Sequence, residues 1–350
     1  MPTPRSANTD LYKVGLWCLL VAAPGLLIAL HDGVYVGNGS DLYSYQLPIR
    51  RFVRDSLLQF ELPVWNPHVL AGVPLFAGWQ AGVLYPPNLL GTPLSPELWL
   101  DWSRWLHMFW LALGGHVLAA CWNRADPRLF SWSGAVAAAL LVGSGPTWGH
   151  IYPGHISFVQ AWAWLPWVWA GATACMAQPT ARTVTALATA VGLQALAGHP
   201  QVSLITAAGL VFVTAAQIAP TKAKAQRITS PIRGIAAVVA GGAVGVALSA
   251  VQWLPAAVLA PELNRALQQP NAIATAFSAK PAFLWTALAP EAFGGTTARL
   301  ARFSYHETLS FIGAGGLGLA VLALVQLRLR TLTLWLGLLF MLLLSPGKHG

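Results

Sequence analysis

The chain alternates between long apolar blocks and shorter polar segments, and this pattern predicts membrane-spanning helices. A helix needs about 20 apolar residues to cross a hydrocarbon core that is ~30 Å thick. The candidate spans are Val14–Leu30, Leu106–Trp122, Leu129–Trp148, Ile156–Met176, Thr183–Gly198, Val202–Ile218, Ile235–Leu259, Leu309–Leu327 and Thr331–Leu344. The fifth and the ninth are short, so we expect each to be broken or packed against its neighbours. The pattern therefore predicts an all-α polytopic membrane protein with about nine transmembrane helices.

Charge orients these spans. With the N-terminus inside, the basic residues of the inner segments are Arg124, Arg128, Arg182, Lys222, Lys224, Arg227, Arg233, Arg328 and Arg330. Short basic loops are typical of the cytoplasmic side of a membrane. The acidic residues that then fall outside are Asp32, Asp41, Asp55, Glu61, Glu97, Asp101, Glu262, Glu291 and Glu307. The titratable chemistry is thus predicted on the outer face of the cytoplasmic membrane.

Composition supports this class and excludes others. The chain is 56% hydrophobic and 9% charged, whereas soluble domains carry roughly 25% charged residues. Its net charge of +9 is read as a topology signal and as attraction to membrane lipids, with no nucleic-acid partner. The cysteines lie within apolar blocks, which leaves no disulfide framework for the outer loops. The GGAVG run at Gly241–Gly245 predicts close helix packing through small residues.

Two polar segments, about residues 32–105 and 260–308, are long enough to form folded outer loops, and long loops are usually functional. In the first, one helical face carries Tyr45, Ile49, Phe52, Val53 and Leu57, and the opposite face carries Arg50, Arg51 and Arg54. This spacing predicts an amphipathic helix in the membrane interface plane. The arginines have two open roles, contact with lipid headgroups or binding of a lipid-linked phosphate, which suits the planar guanidinium.

Asp41 is the candidate catalytic residue of the first outer loop. At the outer surface, a sugar donor would be a polyprenyl phosphate sugar, whose leaving group is already a stable phosphate. One carboxylate that deprotonates the acceptor hydroxyl is then enough, with cations to stabilise the departing phosphate. Tyr43 and Tyr45 flank Asp41 and could stack on a sugar. The alternative is that Asp41 only caps the following helix.

Further candidate substrate contacts lie in the polar residues of the outer segments. They are Asn66, His68 and Gln80 in the first loop, His150 and His155 between the third and fourth spans, and His199 and Gln201 between the fifth and sixth. For each histidine, a helix-end hydrogen bond or a phosphate contact is favoured over a metal ligand, because the spacing typical of zinc sites is missing. No metal and no cofactor are therefore expected.

Several motifs carry a resemblance to a known family. They are GSDLYSYQLPIRRFVRDSLLQFELPVWNPHVLAGVPL and GWQAGVLYPPNLL in the first loop, LAGHPQ (Leu196–Gln201), LSAVQWLPAAVLAPELNRA (Leu248–Ala266), LAPEAFGG (Leu288–Gly295) and HETLSFIGAGGL (His306–Leu317). Together they resemble the YfhO-like bacterial membrane proteins, which belong to the GT-C class of polytopic glycosyltransferases. The resemblance spans nearly the whole chain and implies one GT-C-like transmembrane domain over residues 1–350. Family members are longer, so a further C-terminal region is expected beyond this sequence.

The resemblance also implies roles for particular residues. Asp41 matches the carboxylate that GT-C enzymes carry in the first outer loop, and His199 with Gln201 matches the GHPQ element. Arg265 matches the arginine after the seventh helix, and Glu307 the glutamate that opens the eighth. The implied activity is an inverting, metal-independent hexosyl transfer. Its partners would be a polyprenyl-phosphate sugar donor and an envelope glycopolymer or glycolipid acceptor.

Two other functions stay open at this point. A transporter or flippase would place ionisable groups near the bilayer midplane, but only His116 lies clearly within a predicted span. A non-catalytic subunit of envelope assembly could keep the same fold. The sequence names neither the sugar nor the acceptor.

Overall fold

The computed structural model describes residues 4–30, 40–123, 130–219, 228, 230–262, 280–293, 309–326 and 328–344, with side chains in the first helix from residue 10. It is 77% helical with almost no strands. The α-helices are α1 (Pro4–Leu30), α2 (Leu47–Leu58), α3 (Pro86–Leu90), α4 (Pro96–Trp122), α5 (Trp132–Val142), α6 (Gly145–Ile151), α7 (Ile156–Trp162), α8 (Leu165–Ala177), α9 (Ala181–Leu196), α10 (Pro200–Ile218), α11 (Pro231–Leu248), α12 (Ala250–Leu259), α13 (Ala314–Val325) and α14 (Leu329–Leu344).

Shorter elements connect these helices. Leu42–Gln46 forms a π-helix that runs into α2, and 3-10 helices cover Trp79–Ala81, Ala260–Glu262 and Pro281–Ala287. Two short strands, β1 (Trp65–Asn66) and β2 (Val73–Pro74), pair antiparallel with Trp65 opposite Pro74.

Four of the helices are long and apolar enough to cross a membrane. They are α1 from Asp10 onward, α4, α10 and α11, and they correspond to the first, second, sixth and seventh predicted spans. The fifth and ninth predicted spans overlap α9 and α14, which are unbroken helices of 16 residues each. They pack against neighbours, α9 on α11 and α14 on α10, as one of the two expectations had it. The count of nine spans and the orientation stay predictions.

Three predicted spans are interrupted, which corrects the expectation of continuous helices. Leu129–Trp148 divides into α5 and α6, Ile156–Met176 into α7 and α8, and Ile235–Leu259 into α11 and α12. Pro146 and Pro166 each lie in the first turn of a new helix, because proline has no N–H for a helix interior. At the third break, the Ser249 hydroxyl donates to the carbonyls of Gly245 and Val246. Leu129 and Leu327, at ends of predicted spans, lie outside the described residues.

The helical bundle is built around α4, which packs against α1, α5, α7 and α8. A second close pair is α9 with α11. A Cβ added at Gly245 would lie 2.7 Å from the carbonyl oxygen of Ala188, and one added at Gly241 would lie 2.8 Å from a methyl carbon of Leu187. Only glycine allows this approach, so the predicted small-residue packing at Gly241–Gly245 is confirmed.

The described part of the segment predicted as the first outer loop, residues 40–105, is folded, as expected. Its core is formed by Ile49, Val53, Leu75, Phe76, Ala81 and Val83. The apolar face of α2 therefore packs on the loop's own chain, whereas the pattern predicted a face on the lipid. A second correction concerns Arg50, which was predicted on the opposite face with Arg51 and Arg54. It is 5% exposed and thus buried.

Candidate functional site

Asp41 begins a chain of three ionisable side chains drawn from two distant segments. The Nε2 atom of His155 lies 3.0 Å from Oδ2 of Asp41, and Nδ1 of His155 lies 2.8 Å from Nδ1 of His150. An ionised carboxylate only accepts, so His155 donates to Asp41. When His155 is neutral, its Nδ1 accepts from His150. This arrangement is a continuous path for a proton between Asp41 and His150.

The carboxylate of Asp41 is open to a substrate. Its side chain is 59% exposed, while that of His155 is 23% exposed. Asp41 occupies the capping position before the π-helix, yet its side chain makes no capping hydrogen bond. The alternative of a purely capping aspartate therefore does not match the geometry.

A glycine turn brings the two segments together. Gly154 has φ +82°, a conformation that residues with a Cβ rarely adopt. A Cβ at this position would overlap Cβ of Leu42, so the turn lies directly on the residue after Asp41. Leu42 is fully buried with Leu47, Leu100 and Ile156. The backbone N–H of His155 also donates to the carbonyl of His150 at 2.9 Å, which closes the turn.

A third segment, the LAGHPQ element, reaches the same place through Phe158. The Phe158 ring stacks on His150 with centroids 3.5 Å apart and meets His199 edge-on at 5.2 Å. Burial first, and then the neighbouring His155, lower the pKa of His199 to about 4. His199 is thus neutral near pH 7. Its partner in the motif, Gln201, is exposed.

Close packing of the first outer loop fixes this element. Gly198 has φ +87°, and a Cβ there would overlap the carbonyl oxygen of Trp79. The next residue of the loop, Gln80, accepts at Oε1 from Nε2 of Gln46 at 3.3 Å. The first loop and the LAGHPQ element therefore pack directly against each other.

The two tyrosines beside Asp41 have different surroundings. Burial, and secondly the charge of Asp41, raise the pKa of Tyr45, so Tyr45 belongs with the carboxylate. Tyr43 is 53% exposed and instead lines a cleft of about 610 Å³ that also takes in Arg51 and His68. The cleft runs along α2 from its N-terminal end, which follows the π-helix.

The three arginines of α2 also differ in their partners and in their exposure. Nη2 of Arg50 donates to the carbonyl of Ala81 at 3.1 Å, and burial lowers the pKa of Arg50 to about 10. Arg54 donates to the carbonyl of Leu94 at 2.8 Å. Arg51 pairs with Glu97, and its side chain is 60% exposed. Arg50 and Arg54 therefore hold the loop, and Arg51 is the most accessible cation of this helix.

Asn66 and His68 take different positions in the hairpin. Asn66 is buried, and its Oδ1 accepts from the backbone N–H of His68 at 3.0 Å, which is a local turn contact. The His68 ring meets Phe52 edge-on at 5.5 Å. Two other predicted contacts, Arg265 and Glu307, lie outside the described residues.

A buried polar network joins the first loop to the bundle, and sequence reasoning missed it. Asn88 Oδ1 accepts from Nε2 of Gln160 at 2.8 Å and from Nε1 of Trp99 at 3.2 Å. The same Nε2 of Gln160 lies 2.9 Å from the hydroxyl of Ser103. An amide inside an apolar span is costly unless it is paired, so Gln160 was the available signal.

A second buried group continues this network beneath the loop. The hydroxyl of Tyr85 accepts from Nε1 of Trp164 at 2.7 Å and lies 2.8 Å from Nε2 of His107. Burial raises the pKa of Tyr85, although the bond from Trp164 opposes the shift. Asp101 and Arg104 form a further buried pair on α4.

The fold and the site define a helical membrane protein with an accessible carboxylate–histidine chain at one end of its bundle. Within the described ranges, no group of three or more His, Cys, Asp or Glu residues is arranged to hold a metal ion. Comparison with known proteins finds no match to this chain, neither among family models, nor among curated proteins, nor among solved structures.

Proposed function

We propose that this protein is a membrane glycosyltransferase that moves a sugar from a polyprenyl-phosphate donor to an envelope acceptor on the outer face of the cytoplasmic membrane. The observation that supports this function best is the hydrogen bond between Asp41 and His155, which holds an exposed carboxylate where three predicted outer segments converge. The resemblance to the YfhO-like proteins points to the same carboxylate.

In the proposed reaction, Asp41 is the general base. Its free carboxylate oxygen takes the proton of the acceptor hydroxyl while the hydroxyl oxygen attacks the anomeric carbon of the donor. The glycosidic bond forms as the bond between that carbon and the phosphate oxygen breaks, and polyprenyl phosphate leaves with the electron pair. Attack opposite the leaving group inverts the anomeric configuration. His155 holds the second carboxylate oxygen and so orients the base.

The cleft along α2 suits the donor. Tyr43 offers an exposed aromatic ring, and Arg51 offers a guanidinium whose planar fork pairs with phosphate oxygens. We expect Arg265 and Lys280 of the second outer loop to add positive charge at the phosphate, and Glu307 to order a neighbouring base or hydroxyl. Arg50 is excluded from direct contact in this proposal because it is buried against Ala81.

Among the described residues, the Asp101–Arg104 pair is the buried ion pair that could favour a transporter. However, α4 has 27 residues and is therefore about 40 Å long, which exceeds the ~30 Å hydrocarbon core. Both residues lie in the first three turns of α4, at the end where Leu100 packs on Leu42. We therefore place the pair near the interface, which favours the enzyme.

The test is sugar transfer from a synthetic polyprenyl-phosphate donor by Asp41→Asn. Asparagine keeps the size and loses the base, so turnover should fall by about 10²–10⁴. Expression and thermal stability should change little, because Asp41 makes no capping bond and the asparagine oxygen can still accept from His155.

Asp10→Asn is the matched control, since Asp10 lies in α1 on the predicted opposite side. It should retain full turnover. Near-normal turnover by Asp41→Asn, with donor and acceptor saturating, would remove Asp41 from the reaction. Donor binding without any transfer by the wild-type protein would instead favour a non-catalytic assembly role.

A further inference from the structure

A cavity of about 540 Å³ lies at the end of the bundle remote from Asp41. It opens beside Leu118 and Trp122, at the C-terminal end of α4. Leu42 packs on Leu100, near the N-terminal end of that same helix. The 22 residues between Leu100 and Trp122 correspond to about 33 Å of helix, so the two places lie on opposite sides of a membrane that α4 crosses.

The cavity is lined by two kinds of side chain. The basic and polar ones are Arg328, Arg330, Asn123, Ser133 and Thr331. The apolar ones include Leu118, Ala137, Val213 and Leu334. No carboxylate is among the described residues that line it, so the two guanidinium groups give it a net positive charge.

These features match the headgroup end of a phospholipid. Guanidinium groups pair with phosphate oxygens through two parallel N–H donors, and the amide and hydroxyl groups of the lining suit a glycerol. The apolar lining residues suit the first carbons of an acyl chain, which a free phosphate lacks. A volume between about 300 and 1,000 Å³ is typical of a ligand pocket.

The predicted cytoplasmic position of the cavity favours an anionic phospholipid. Arg328, Arg330 and Asn123 belong to segments that the charge pattern places on the cytoplasmic side. Anionic lipids give that leaflet its negative surface potential, and basic pockets between helices bind their headgroups. Trp122 and Trp169 also line the cavity, as expected where a bundle meets the headgroup layer.

We propose that this cavity binds the phosphate and glycerol of one anionic phospholipid of the cytoplasmic leaflet. The lipid would join α4 and α5 to α14, three helices that contribute lining residues. This site is independent of the glycosyltransferase proposal, since its residues are remote from Asp41.

The test is native mass spectrometry of the full chain after delipidation and addition of phosphatidylglycerol or phosphatidylcholine. The wild-type protein should retain one phosphatidylglycerol preferentially, and phosphatidylglycerol should raise its unfolding temperature. The double variant Arg328→Ala/Arg330→Ala should bind that lipid about tenfold more weakly or worse, because it loses both phosphate partners.

The matched control is Arg182→Ala/Arg233→Ala, which removes two charges from the same predicted side outside the cavity. It should retain the lipid. Ser133→Trp fills the cavity and keeps both arginines, so it should also lose the lipid even if the double alanine variant fails to fold. Equal losses in control and test variants, equal retention of phosphatidylcholine, or full stabilisation by glycerol phosphate alone would each overturn the proposal.

Discussion

At the scale of single residues, burial decides which of the adjacent cations can meet a substrate. Arg50 and Arg51 are neighbours in sequence, yet Arg50 is 5% exposed and donates to Ala81. A guanidinium whose pKa is about 10 is still charged at pH 7, so Arg50 acts as a fixed clamp on the loop. Arg51 keeps its contact with water, and a phosphate could displace Glu97 from it.

His199 gives a prediction about acid stability. Its pKa in the folded protein is about 4, below the ordinary value of 6.5, so the unfolded chain binds more protons between these two values. Stability is therefore fully present above about pH 6.5 and falls as the pH is lowered towards 4. After allowance for partial exposure, His199 should account for about 1–2 kcal/mol of that loss.

Thermal unfolding in detergent from pH 4 to pH 7.5 measures this effect. His199→Gln cannot take up the proton and should flatten the pH dependence. The matched control is His68→Gln, which removes an exposed imidazole from the first outer loop. An identical slope for His199→Gln and the wild type would contradict the assigned environment.

At the scale of elements, amide side chains connect the first loop to the bundle. Asn88 belongs to α3, and its partners Trp99 and Gln160 belong to α4 and α7. Since α7 also carries Phe158, which stacks on His150, the same network supports the histidine chain from below. The site is thus held by a loop and helices that are distant in sequence.

Loss of either amide should therefore destabilise the protein. Asn88→Ala leaves two buried donors unpaired and should cost about 2–4 kcal/mol, as should Gln160→Ala. The double variant should cost less than the sum of the single variants, because their partner groups are shared. Gln201→Ala removes an exposed amide and should stay within about 0.5 kcal/mol. Strictly additive losses in a thermal or denaturant series would argue against a shared network.

At the scale of the whole molecule, the segments that the charge pattern predicts on one side of the membrane also lie at one end of the helical bundle. Asp41, His155 and His199 come from three segments predicted outside, and they meet at one end of the bundle. Trp122, Ser133 and Arg328 come from segments predicted inside, and they meet around the remote cavity. The prediction of sides came from charge in the sequence alone, so it is independent of the grouping by contacts.

This division predicts which cysteines a membrane-impermeant thiol reagent can reach in intact cells. In a background without native cysteines, Leu70→Cys should be labelled from outside, because Leu70 is 89% exposed on the first outer loop. Arg182→Cys, at the exposed start of α9, should be labelled only after the membrane is permeabilised. The opposite pattern would reverse the orientation and place Asp41 on the cytoplasmic side.

The sequence predicted the helical class and the folded first loop, because apolar blocks and long polar segments are visible locally. Of its nine predicted spans, four correspond to described helices long and apolar enough to cross a membrane. It could not predict the break at Ser249, since the apolar pattern continues through it, whereas Pro146 and Pro166 were visible signals for the breaks in the third and fourth predicted spans. It selected Asp41, His155 and His199 one at a time. Their convergence stayed hidden because Asp41 and His155 are 114 positions apart, and the burial of Arg50 depends on Ala81, 31 positions away.

The π-helix at Leu42–Gln46 makes the site sensitive to chain length. A π-helix has a wider turn than an α-helix, so deletion of Ser44 from this segment could restore α-helical winding without disturbing α2. Each residue of an α-helix turns the chain by about 100°, and Asp41 would then rotate away from His155. A one-codon deletion would thus disconnect the carboxylate while every ionisable side chain of the protein remained present.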